Sequence, residues 1–189
     1  MKKTITVLAV LAFCAIAPLG LFAQKGAAAK KVVVVYFSTA DGDKVAADAI
    51  AAKKNADVIR LEVDPPYDAK ALADKAKFVK AAVASEGKKP PKIKPVNVDA
   101  YETVYIGTDV WNNGAPKAVE LFINDAKLEG KKVIYYGTST LESVEATFKK
   151  NMDGLINKKK AKEVVSGPIF KNVAAASKAE VDKWADSVK

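Results

Sequence analysis

Hydrophobic positions along the chain fall into alternating strand-like and helix-like stretches. After Lys31 comes Val32-Val33-Val34-Val35-Tyr36-Phe37, a continuous β-branched run that suits a strand buried on both faces of a parallel sheet. Residues 43–54 then place Val45, Ala46, Ala49 and Ile50 on one helical face, and Asp57–Val63 reads as a second strand. A second helix is predicted over 68–84 from the spacing of Leu72, Ala76, Val79 and Val83. Residues 86–98 break the pattern with Pro90, Pro91 and Pro95 among lysines and Gly87, which predicts an extended loop. Glu102–Thr108 is a third strand, and 116–127 a helix with Val119, Phe122, Ile123 and Ala126 on one stripe behind Pro116. Gly130 separates that helix from a fourth strand, Lys132–Gly137. Residues 141–156 carry Leu141, Val144, Phe148, Met152 and Leu155 on one face. Ala161–Phe170 is a shorter strand, and its Pro168 argues against a central position. A closing helix starts at a Ser177 cap, with Glu180 three residues on and an apolar stripe of Val181, Trp184, Ala185 and Val188.

Strand and helix alternating five times predict an α/β fold: a doubly wound, five-stranded parallel sheet covered by helices on both faces. Right-handed crossovers favour the order 2-1-3-4-5, with a ligand crevice beyond the carboxyl ends of strands one and three. The domain is expected to span 31–189, with no repeats and no second domain.

The start of the chain reads as an export signal. Met1-Lys2-Lys3 is basic, residues 5–17 are apolar but short for a membrane span, and Leu21-Phe22-Ala23 precedes a cut before Gln24. The expectation is a signal peptide over 1–23, a leader over 24–30 and a periplasmic or secreted protein, not membrane-spanning after cleavage; the alternative is an uncleaved anchor. Cys14 is the only cysteine, lies inside the apolar run after Phe13, and leaves with the signal. With no histidine either, soft metal sites, Cys or His nucleophiles, Ser-His-Asp triads and disulfides are excluded from the mature domain. No metal site and no catalytic side chain are expected.

Net charge is +9, and +7 without Lys2 and Lys3. Of 31 basic residues, only Arg60 is an arginine. Bidentate recognition of phosphates and base edges favours arginine, so nucleic acid is not expected as a partner. The lysines read as a solvated basic surface; the alternative is attraction to an acidic partner protein or an anionic membrane surface.

Three loops lie at the expected carboxyl ends. They are Ser38-Thr39-Ala40-Asp41-Gly42-Asp43, then Thr108-Asp109-Val110-Trp111-Asn112-Asn113-Gly114, then Gly137-Thr138-Ser139 with Thr140. Hydroxyl-, amide- and glycine-rich loops before helices present backbone N–H groups to an anion, and Trp111 offers a flat apolar face to a planar ring. Asp43 reads equally as the cap of the first helix, and Trp111 as a buried loop anchor.

Tyr36-Phe37-Ser38 before a polar loop, Gly107-Thr108-Asp109-Val110-Trp111 before Ala115-Pro116, and Asp64-Pro65-Pro66-Tyr67 after the second strand resemble the flavodoxins, in particular their small bacterial branch. The resemblance runs over nearly all of 31–189. It implies FMN as cofactor, with Ser38–Asp43 as phosphate loop, Thr108, Asp109, Val110, Trp111 and Asn112–Gly114 along one flavin face, and Gly137, Thr138 and Ser139 at the other edge. It also implies electron transfer with an unknown redox partner. The family's phosphate loop reads like Ser-x-Thr-Gly-Asn-Thr; here it is one residue short and carries Asp41 and Asp43 in place of hydroxyls. Carboxylates only accept hydrogen bonds and repel a phosphate dianion, so FMN and riboflavin are expected to bind within about tenfold of each other, or neither to bind. Three functions stay open at this point: a flavin electron carrier, a flavin-dependent reductase, and a binding module of the same fold without cofactor.

Overall fold

Val32–Phe37 forms β1, an interior strand of the sheet, as its unbroken apolar run requires. The structure is a computed structural model and describes residues 31–39, 41–68, 70–71, 74–141, 143–171 and 178–188. The predicted signal and leader, Ala40 and the Ser177 cap lie outside the described residues. The further elements are α1 (Gly42–Lys54), β2 (Asp57–Arg60), β3 (Val63–Asp64), α2 (Lys75–Glu86), β4 (Lys92–Ile93), β5 (Thr103–Asp109), α3 (Lys117–Asp125), β6 (Lys132–Thr138), α4 (Glu145–Asn157), β7 (Glu163–Phe170) and α5 (Lys178–Ser187).

The main sheet is parallel throughout in the order β2-β1-β5-β6-β7, which is 2-1-3-4-5 among its own strands. Side chains alternate between its faces. Val33, Val35, Val104, Ile106 and Val133 join α3 and α4 through Val119, Phe122, Phe148 and Met152. Val34, Tyr36, Tyr105, Ile134 and Tyr136 join α1 and α5 through Ala46, Ile50, Val181 and Ala185.

Local departures from the expected elements have visible causes. The second strand leaves the sheet after Arg60; Val63-Asp64 instead pairs antiparallel with Lys92-Ile93, so the proline-rich stretch is partly strand. The second helix begins at Lys75, because the Asp74 carboxylate accepts from the Lys77 N–H at 3.1 Å and caps it there. The fourth helix begins at Glu145, which leaves Leu141 exposed ahead of it rather than on its apolar face. Pro168 sits in β7 at the sheet edge, where the pairing slips between Tyr135 and Gly137.

Gly107 marks the tightest packing across the sheet. A β-carbon there would stand 2.2 Å from the Tyr136 hydroxyl oxygen, because the fully buried Tyr136 ring crosses this position. Gly107→Ala should therefore destabilise the fold by about 1–3 kcal/mol through overpacking. Urea unfolding checks this, and an unchanged midpoint would place the Tyr136 ring elsewhere.

Candidate functional site

Register brings the three predicted loops together. Phe37 stands beside Thr108, and Asp109 beside Thr138, so β1, β5 and β6 end at one level. The loop after β5 is pinned to its neighbour by Val110 N–H to the Thr138 carbonyl at 2.9 Å. It then closes on itself: Trp111 and Gly114 exchange N–H···O bonds, each 2.8 Å. The two residues between them, Asn112 (φ 45°) and Asn113 (φ 65°), are both left-handed, a conformation asparagine tolerates and this turn type needs. Asn151 on α4 steadies the turn by donating to the Asn113 carbonyl at 3.2 Å.

The turn aims Trp111 inward. Its side chain is 2% exposed and packs against Phe37 (ring centroids 5.7 Å apart), Phe78 (5.5 Å) and Tyr67 (5.9 Å). Of the two readings left open by the sequence, the described structure matches the buried loop anchor; no open face of this ring is presented for stacking.

The first loop is equally changed by its surroundings. Asp41 is the residue that precedes α1, in a left-handed conformation (φ 55°) and without a side-chain capping bond. Its carboxylate is exposed, 3.9 Å from Arg60, which also donates to the Ser38 carbonyl at 3.1 Å. Asp43 is not a cap. It lies in the first turn of α1, fully buried, and neither carboxyl oxygen has a hydrogen-bond partner of full geometry; Thr138, Asp109 and Ser38 are its polar neighbours. Burial, followed by the Asp109 charge, holds its carboxyl well above the usual carboxylate range.

Asp109 is the centre of this cluster. It is 2% exposed, and its carboxylate accepts from the Thr39 N–H at 3.0 Å, from the Thr39 hydroxyl, from Lys75 Nζ at 2.9 Å and from the Thr138 hydroxyl at 3.3 Å. Burial alone would push its pKa up; the Thr39 donors and the Lys75 cation outweigh burial and hold it below the usual range. Ser38 Oγ accepts from the Asp43 N–H at 3.4 Å, and Thr108 Oγ1 donates to the Asp109 carbonyl at 2.9 Å. Gly137 is fixed by packing: a β-carbon there would meet Val110 at 2.9 Å.

Two clefts open beside this cluster. One, of about 420 Å³, lies between the ends of β1 and β2 and is lined by Ser38, Thr39, Arg60, Leu61, Pro66 and Tyr67 among others. The other, of about 570 Å³, runs between α2 and the loops after β5 and β6. It is lined by the apolar Ala76, Val79, Val83, Val110 and Leu141 and by Lys75, Lys80, Asn112 and Thr138–Thr140. Both volumes are in the range of small-molecule sites. The sequence pointed to Val110, Asn112, Thr138 and Ser139 in this groove but missed its α2 wall and Lys75. Helical spacing puts Val79 and Val83 on one face of this helix; Val79 is half-buried against the core and Val83 is 37% exposed. Asn113 and Gly114 stand further out, against α4. Among the described residues no group of three or more His, Cys, Asp or Glu could hold a metal, and no helix is long and apolar enough to cross a membrane.

A family model described as Flavodoxin matches residues 31–188. Among solved structures, a Bacteroides uniformis protein provisionally classed as a flavoprotein is 25% identical, with a TM-score of 0.65 over 82% of this chain and 97% of its own. A Lactobacillus acidophilus flavoprotein solved in complex with FMN is 21% identical, with a TM-score of 0.60 over 83% and 99%; at that identity the likeness is one of fold. No curated protein is significantly similar in sequence.

Proposed function

We propose, from the premise that this chain belongs to the flavodoxin family, that it binds a flavin at the carboxyl ends of β5 and β6 and serves as an electron carrier. The observation that carries this reading is the apolar groove between α2 and the two loops. It has the size for a planar ring system, and its lining is mostly apolar, with Lys75, Lys80, Asn112, Thr138, Ser139 and Thr140 as its polar members. The Lactobacillus fold relative solved with FMN supports it. A bound flavin supplies one-electron chemistry. The chain's part is to hold the ring: Val79, Val83 and Val110 exclude water from it, and Lys80 places positive charge beside the groove, Lys75 being paired with Asp109. The residues fit the ring; the first loop, whose Thr39 donors are taken by Asp109 at the end of β5, does not fit a phosphate dianion. The basic and apolar start of the sequence supports an exported protein whose mature chain begins at Gln24.

Absorbance of the purified protein, followed by riboflavin and FMN titrations read by flavin fluorescence, tests the proposal. The expected result is saturable quenching by at least one flavin at one equivalent. A colourless protein that quenches neither would contradict it and favour the second reading, a cofactor-free binding module, for which the Thr39 donors already taken by Asp109 are the specific observation. Reduction of a bound flavin by a nicotinamide donor would instead indicate a reductase.

A further inference from the structure

The donors that open a phosphate loop are the backbone N–H and hydroxyl groups at the end of the first strand, followed by the first turn of the helix. In this chain both Thr39 donors are spent on the carboxylate of Asp109, which reaches them from the end of the neighbouring strand β5. Lys75, a nearby cation for a ligand anion, is bound to the same carboxylate. Asp43, in the first turn of α1, is buried without a full hydrogen-bond partner beside the same cluster. Asp41 contributes nothing inward, because it faces Arg60 at the surface. The loop thus contains its own anion. A dianionic phosphate would have to displace an ionised, buried carboxylate from two donors and a lysine, and then lie among two acidic side chains.

We infer that the crevice takes flavins without a terminal phosphate: Asp109 occupies the Thr39 donors that open the phosphate loop, together with Lys75, and the ligand class is a neutral ribityl flavin such as riboflavin. This rests on the flavin reading above, since it assigns the ligand class of the same site. A ribityl chain ending in hydroxyl needs no dianion site.

The test compares dissociation constants of riboflavin and FMN for the unmodified protein, for Asp109→Asn, and for Asp109→Asn combined with Asp43→Asn. For the unmodified protein riboflavin should bind at least as tightly as FMN. The variants should shift the ratio toward FMN by about tenfold or more, as Thr39 and Lys75 become available to phosphate. A separate measurement needs no variant: inorganic phosphate, at ionic strength matched with chloride, should leave the riboflavin dissociation constant unchanged. If the unmodified protein prefers FMN by more than about tenfold, or if phosphate competes with or promotes riboflavin binding, the inference is overturned while the flavin reading stands. An unchanged ratio in folded Asp109→Asn overturns the role given to Asp109. Binding of neither flavin overturns the inference and the flavin reading together.

Discussion

Trp111→Ala is expected to destabilise the fold by about 3–5 kcal/mol, the range for truncating a large buried aromatic. The ring is the hub of a four-residue aromatic cluster, with Phe37 from β1, Phe78 from α2 and Tyr67 from the chain between β3 and α2 around it. Its loss leaves a cavity that rigid neighbours cannot fill, and removes the support of Tyr67, whose hydroxyl donates to the buried Glu86 carboxylate. The shift should appear as a lower urea midpoint with the same slope. A loss under about 1 kcal/mol would mean that the ring is not core but faces the crevice, as a stacking platform would.

Asp43→Asn is expected to stabilise the protein increasingly as pH rises from about 4 toward neutrality. The Asp43 pKa is raised in the folded chain, so the unfolded chain releases this proton first. Stability from protonated Asp43 is full below the ordinary aspartate pKa of about 3.9, and falls with rising pH by up to about 1.4 kcal/mol per unit until the buried carboxyl itself ionises. Asp109, whose pKa is lowered, works in the opposite window: its contribution is full above about 3.9 and is lost as pH falls through its folded value. Asp109 and Lys75, together with the Tyr136 hydroxyl, which donates to the Asp43 carbonyl at 3.5 Å, are the titratable groups to keep intact in the comparison. Asparagine removes only the Asp43 limb. Stability curves of the two proteins should therefore converge near pH 4 and separate above it; parallel curves would mean that Asp43 is hydrated and ionised in the folded chain.

Both predictions depend on features that the sequence left open. The sheet was legible because strands buried on both faces must be apolar without interruption, as in Val32–Phe37, and because Gly130, Pro116 and the helical stripes punctuate the chain. The three crevice loops followed from the topology alone. The direction of the Trp111 side chain did not, because it is set by the paired left-handed asparagines Asn112 and Asn113 and by aromatic residues distant in sequence. Lys75 could not be singled out among so many lysines; only the start of α2 at the Asp74 cap puts it over Asp109. The acidic loop was read as a barrier to phosphate through Asp41 and Asp43. In the structure Asp41 turns outward, and the carboxylate that takes the loop's donors comes from Asp109, a partnership that requires the β1–β5 register. Edge features such as the short β3–β4 pair depend on contacts between segments rather than on local pattern, and were read as a strand end and a loop.

The flavin-groove account is tested most directly by amide chemical-shift mapping of the protein during a riboflavin titration. The account predicts that the largest shifts fall on Val110–Gly114, on Thr138–Leu141 and on the Ala76, Val79 and Val83 face of α2, the residues that surround the apolar groove. Saturable shifts centred elsewhere, such as the lysine-rich cleft lined by Lys127, Lys131 and Lys158, or no shifts in the two loops at saturating riboflavin, would contradict it.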